Sequence, residues 1–203
     1  CESTRVNPNH LNHKNVTELM HSIMKRKRLE ILKVLVESDR VDLNMQTPDK
    51  KQTALMIATK LNNLQAVQIL MKDPSRIDPN LQNFKLRTAL HIAVIDVSPE
   101  CLQFLASQPN VNMNLVDDFE LTPLFYSIYK RSYRLFEILL TSIQQRNSIK
   151  TEENMKNNFN FNGRDHFGQN LLNYTIRTQY FQSAKLFLKI YDLNEPDSKG
   201  TSS

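Results

Sequence analysis

A chain of 203 residues, 40% hydrophobic and 23% charged, carries enough apolar side chain for a packed core, which excludes disorder throughout. Its three glycines, Gly163, Gly168 and Gly200, cannot build a Gly-rich phosphate loop, and no apolar run approaches the roughly 20 residues that a membrane-spanning helix needs. The net charge of +5 is spread along the chain, so it favours acidic partners slightly and gives no argument for direct nucleic-acid binding.

The chain opens on Cys1-Glu2-Ser3-Thr4-Arg5, with neither an initiator Met nor a signal-peptide apolar stretch, and reads as a fragment. Residues 1–11 are expected to be a flexible lead-in. His10 and His13 lie three apart, but no carboxylate or thiolate pattern completes a metal site around them. The first helical unit starts at Thr17-Glu18-Leu19-Met20-His21-Ser22 and reaches its helix–helix turn at the basic run Lys25-Arg26-Lys27-Arg28. As a bare pattern that run matches nuclear-localisation signals; by register it is a solvated turn.

The same hexapeptide pattern returns at Thr53-Ala54-Leu55-Met56-Ile57-Ala58, at Thr88-Ala89-Leu90-His91-Ile92-Ala93 and at Thr122-Pro123-Leu124-Phe125-Tyr126-Ser127. A weak copy stands at Asn170-Leu171-Leu172-Asn173-Tyr174-Thr175. The starts are 36, 35, 34 and 48 residues apart, so the fourth unit carries an insertion. A second pattern keeps the same register: Val41-Asp42-Leu43-Asn44, Ile77-Asp78-Pro79-Asn80, Val111-Asn112-Met113-Asn114, Phe159-Asn160-Phe161-Asn162 and Tyr191-Asp192-Leu193-Asn194. Between the two lies an amphipathic stretch each time, such as Leu64, Val67, Leu70 and Met71, whose spacing of three and four puts them on one helix face. Each unit is therefore a short helix capped by the Thr hydroxyl, a turn, a second helix and an extended loop. Pro123 fits the first helical position of its unit.

These motifs resemble the ankyrin repeat, whose signature includes T-P-L-H-x-A at a period near 33 residues. Asp117 and Asp165, five residues ahead of their helix starts, and Gly168 in its hairpin also fit that pattern. The resemblance implies an all-α solenoid of about five helix-turn-helix repeats: 12–46, 47–82, 83–116, 117–163 with an insertion at 141–158, and 164–194, followed by a disordered tail at 195–203. The insertion is polar and is expected to extend the second helix by one or two turns before a mobile loop. The family favours Gly at the turn between its helices, where φ is positive. Here Arg26, Asn62, Val97, Arg131 and Gln179 hold that place, of which Asn62 tolerates the left-handed region best. A less stable array than an idealised one is expected.

No nucleophile–base arrangement, nucleotide motif, metal site or cofactor motif is found, so the chain reads as a binding module and not an enzyme. His91 occupies the signature's own His position, which implies hydrogen bonding between repeats. Cys101 lies inside a second helix as a core thiol, and two cysteines without a framework point to a reducing, cytoplasmic setting, with the nucleus as a further site.

In ankyrin proteins the partner meets the hairpin fingertips and the exposed side of the first helices, on the concave surface that stacking creates. Carried over by register, the partner-binding residues are Lys50 and Lys60 in the second repeat, and Phe84, Lys85 and Arg87 in the third. Asp118, Phe119, Tyr129 and Lys130 follow in the fourth, and Phe167 and Arg177 in the fifth. Exposed aromatics beside Arg and Lys are the residue types that dominate interface energy. The surface suits a protein partner with acidic and apolar features, met by a monomeric array. One stretch, Leu81 to Ile95 with Pro99-Glu100 after it, is similar to the second repeat of the cytoplasmic inhibitors of Rel/NF-kappa-B transcription factors; that resemblance implies a Rel-homology partner. Against it, no Asp-Ser-Gly phosphodegron precedes the repeats. An ankyrin domain of a larger enzyme or channel is the further alternative.

Overall fold

The computed structural model describes residues 7–25 and 29–147. Their helices are α1 (Glu18–Met24), α2 (Leu29–Glu37), α3 (Ala54–Lys60), α4 (Leu64–Leu70), α5 (Ala89–Ile95), α6 (Pro99–Ser107), α7 (Pro123–Tyr129) and α8 (Tyr133–Asn147). Most span only seven to nine residues, too short to persist alone. They are held by two rows of stacking. The first helices pack α1 on α3 on α5 on α7, and the second helices pack α2 on α4 on α6 on α8. The fold is the expected all-helical repeat solenoid, four repeats of it within the described residues.

The sequence signature explains each start. Thr17, Thr53, Thr88 and Thr122 have extended backbone, and each hydroxyl accepts the amide three residues on: Met20, Met56, His91 and Phe125. Substituting such a cap by Ala costs about 1 kcal/mol. The Leu two residues after each Thr (Leu19, Leu55, Leu90 and Leu124) is fully buried. The small residue three further on, Ser22, Ala58, Ala93 or Ser127, lets neighbouring helices close together. Where it is Ser, the hydroxyl donates to the carbonyl three residues back (Leu19 or Leu124), so serine serves there as a satisfied alanine.

Two rows of positive φ run along the array. One lies at the helix–helix turns, with φ of 48° at Asn62, 54° at Val97 and 51° at Arg131. The other lies at the fingertips, two residues before each Thr: Asn15, Lys51, Leu86 and Glu120. At these three described turns Asn, Val and Arg thus hold the left-handed conformation that glycine favours. Val97 bears the largest cost, because a β-branched side chain in the left-handed region is an outlier.

The expected extension of the second helix in the fourth repeat is present, since α8 continues to Asn147. Its Arg146 reaches back and donates to the carbonyls of Ala106, Gln108 and Val111, which close the end of α6. Arg76 does the same at the end of α2, donating to Val36, Ser38 and Val41. Residues 148–163, the fifth repeat and the tail lie outside the described residues, as do Arg26 to Arg28. Residues 7–9, expected to belong to a flexible lead-in, are instead tied down. Asn9 donates to the carbonyl of Arg40 at 3.0 Å and accepts the amide of Asp42 at 2.8 Å.

Candidate functional site

The fingers are built by one local device. A side chain at the finger base accepts amides across the turn: Asn12 from Lys14 and Val16, Thr47 from Gln52, Asn83 from Lys85 and Arg87, and Asp117 from Phe119 and Leu121. Neighbouring fingers are then joined through backbone, the Phe84 amide donating to Lys50 (3.2 Å) and the Asp118 amide to Lys85 (3.1 Å). Glutamines lace the bases together. Gln46 donates to the carbonyls of Lys51 and Gln82, and Gln82 to those of Leu86 and Val116. Much of the backbone of this edge is thus engaged between fingers, which leaves the side chains at the tips for recognition.

Those side chains are apolar and charged. Phe84 is 57% exposed and Phe119 43% on successive fingers, with Leu86 and Val116 also exposed between them. Tyr129, at the end of the inner helix α7, is 62% exposed. It is not loose: its ring meets Tyr126 edge-on at 6.4 Å. The Lys51 ammonium lies 5.2 Å from the centre of the Phe84 ring, a cation–π contact that holds the ring out along the finger row. Lys50, Lys60, Lys85, Asp118 and Lys130 are all exposed around this set. Charge is graded along it. The second and third fingers carry Lys50, Lys51 and Lys85 against one carboxylate, Asp49, while the fourth carries Asp118 and Glu120. Phe167 and Arg177 lie outside the described residues.

Arg87 does not belong to the free surface. Its Nε donates to Asp117 Oδ2 at 3.0 Å, and the same guanidinium donates to the Tyr126 hydroxyl at 2.7 Å. Tyr126 in turn donates to Asp117 Oδ2 at 2.6 Å, and the Arg87 guanidinium lies over the Tyr126 ring. Asp117 is buried, which would raise its pKa, yet the bonds from Tyr126 and Arg87 prevail and lower it. Burial and the Asp117 carboxylate together push the Tyr126 phenol up, so it remains a donor at neutral pH. This triad locks the third finger to the fourth repeat and props up Tyr129. Register could place Arg87 on the finger but could not show its direction. Lys51 and Tyr126 also shape the exposed face, each through a partner one repeat away, Phe84 and Arg87, that register does not reveal.

The two candidate chemical groups are both structural. His91 is buried, with Nε2 3.0 Å from the Leu121 carbonyl of the next repeat and Nδ1 against Thr88. Burial lowers its pKa to about 4, which fixes the neutral form that donates from Nε2. Cys101 is buried and its thiol is pushed up to about 11 by that burial, so it stays protonated. No helix among the described residues is long and apolar enough to cross a membrane.

Known proteins share this architecture. The family model for ankyrin repeats, in three copies, matches residues 3–83 and 75–150. The human transient receptor potential cation channel subfamily A member 1 is 26% identical over 145 residues, taking in 68% of this chain and 13% of that protein, so the chain spans only a small part of that relative. The solved ankyrin repeat domain of Bcl-3, described as a unique member of the IkappaB protein family, superposes with a TM-score of 0.74. That alignment covers 90% of this chain and 73% of the other at 18% identity, a likeness of fold. With repeat, caps and stacking all in register, the chain belongs to the ankyrin-repeat family, whose repeats are protein–protein interaction modules.

Proposed function

We propose that the array binds its protein partner across the fingertips and inner helices of repeats two to four, on the concave side of the solenoid. The observation that carries this reading is the set of exposed aromatics, Phe84 and Phe119 on successive fingers and Tyr129 on the inner helix, each held in place by a neighbour or a hairpin. Large apolar side chains clustered on a surface mark interaction sites, and pre-ordered aromatics contribute binding energy at little entropic cost. The lysines of the second and third fingers add a preference for acidic groups beside the apolar anchors. The test is quantitative affinity capture with mass spectrometry, comparing the wild-type chain with Phe119→Ala and Tyr129→Ala. Loss of one specific partner in both variants, with the circular dichroism spectrum unchanged, supports the reading. Unchanged capture in both defeats it.

A second reading names the partner as a Rel-homology transcription factor. It rests on the similarity of Leu81 to Ile95 to the second repeat of the Rel/NF-kappa-B inhibitors. Titration calorimetry of the purified chain against a Rel-homology dimer tests it: a saturable heat that Phe119→Ala weakens is the expected outcome, and no heat at micromolar concentrations sinks it.

A further inference from the structure

The loop that closes each repeat has its own hydrogen-bond signature. Asn44 donates its amide to Asp42 Oδ1, its side-chain Nδ2 to the carbonyl of Arg76, and accepts the Asp78 amide on Oδ1. Asn80 makes the same three bonds, to Asp78 Oδ1, to the Asn110 carbonyl and from the Asn112 amide. In each case the Asn ends one repeat and grips the closing loop of the next. Asn9 makes all three as well: its amide donates to Asn7 Oδ1, its Nδ2 to the Arg40 carbonyl, and its Oδ1 accepts from Asp42. Residues 7–9 therefore stand where the closing loop of a repeat ahead of Thr17 stands. The sequence agrees. Glu2-Ser3-Thr4-Arg5-Val6-Asn7-Pro8-Asn9 shares five of eight residues with Glu37-Ser38-Asp39-Arg40-Val41-Asp42-Leu43-Asn44, 35 positions on.

An independent observation comes from the first repeat's second helix. Ile31 is 41% exposed and Val34 68%. The residues in the place of Ile31 in the following repeats, Ala66, Cys101 and Leu135, are all buried. Those in the place of Val34, which are Ile69, Phe104 and Ile138, are at least half-buried. Each of those later helices packs on the second helix of the repeat before it: α4 on α2, α6 on α4, α8 on α6. Only α2 lacks such a neighbour among the described residues. It keeps the apolar residues that a stacked neighbour would cover.

We infer that this face of α2 is a stacking surface for a further ankyrin-type helix pair, the one that residues 7–9 close, preceding it in the same polypeptide. The spacing of the other repeats places that pair's first helix start about 35 residues ahead of Thr17. Its second helix lies over Ile31 and Val34 as α2 lies over α4, and it presents an apolar stripe, because the surface it meets is apolar. Stability in such arrays grows with each nearest-neighbour interface.

The test joins an ankyrin-type helix pair directly ahead of Cys1 in the full chain, and records thermal melting with and without Ile31→Lys and Val34→Lys. Both substituted positions are exposed, and Val34→Lys alone serves if the double variant does not fold. The extended chain is expected to melt on the order of 5 °C higher, and to slow amide exchange across α2. That gain disappears when Val34 or the pair is charged. No gain, or an equal gain in the charged variant, overturns the inference. So does sedimentation of the unextended chain as a dimer that Val34→Lys dissociates, because the face then belongs to a second copy.

Discussion

The two long edges of the array use the same kind of bond for different ends. Along the closing loops, three successive junctions among the described residues repeat one pattern, with Asn9, Asn44 and Asn80 each bridging to the next loop through Nδ2 and Oδ1. Along the fingers, the backbone bonds also repeat, but the side chains at the tips do not: Asp49-Lys50-Lys51, then Phe84-Lys85-Leu86, then Asp118-Phe119-Glu120. Regular chemistry on the loop edge sets spacing. Irregular, exposed chemistry on a regular backbone at the finger edge is what recognition of one partner requires.

The sharpest way to break this contrast is at the finger base. Asp117→Ala removes the acceptor for two finger amides, leaves the Arg87 guanidinium half-buried without its carboxylate and frees Tyr126. A cost of about 3–5 kcal/mol in denaturant melts is expected, together with weakened binding, because Tyr129 loses its support. His91 offers a pH handle on the same junction. Its folded pKa of about 4 lies below the ordinary 6.5, so between those values the unfolded chain takes up a proton that the folded one refuses. Stability is then lost as pH falls from about 6.5 to 4, by about 3 kcal/mol in all, and is flat above neutrality. Melts of the wild type against His91→Gln across that window check it: the slope should largely vanish in the variant.

On the loop edge, Asn80→Ala strips the Asn110 carbonyl of a part-buried partner and the Asn112 amide of an exposed one. About 2 kcal/mol of stability should go, with partner affinity of the remaining folded protein unchanged. Smaller still, Val97→Gly relieves a left-handed β-branched residue whose side chain is mostly solvent-exposed, and should raise stability by about 1 kcal/mol in the same melts.

The Thr caps, the buried Leu and the closing Asn were all legible in sequence, because each rests on local chemistry that recurs at a fixed period. The period itself gave the fold. What it did not give is long-range direction. Arg87 occupies a finger position by count, yet turns inward because Asp117 and Tyr126, 30 and 39 residues away, offer it a carboxylate and a ring. Lys51 escaped notice because its role is set by Phe84 in the next finger. Positive φ at Val97 and Arg131 shows that stacking overrides local preference, which no propensity argument at those positions could foresee. Phe84, Phe119 and Tyr129, which register puts on the fingers and the inner helix, are exposed.

The division of labour between the two edges rests most directly on one measurement: affinity for the captured partner, set beside melting temperature, for the Phe119→Ala/Tyr129→Ala double variant. The account predicts a loss of at least about 30-fold, equivalent to roughly 2 kcal/mol, with melting within about 2 °C of the wild type. Wild-type affinity in that variant would contradict it, and would move the binding site off the finger and inner-helix face.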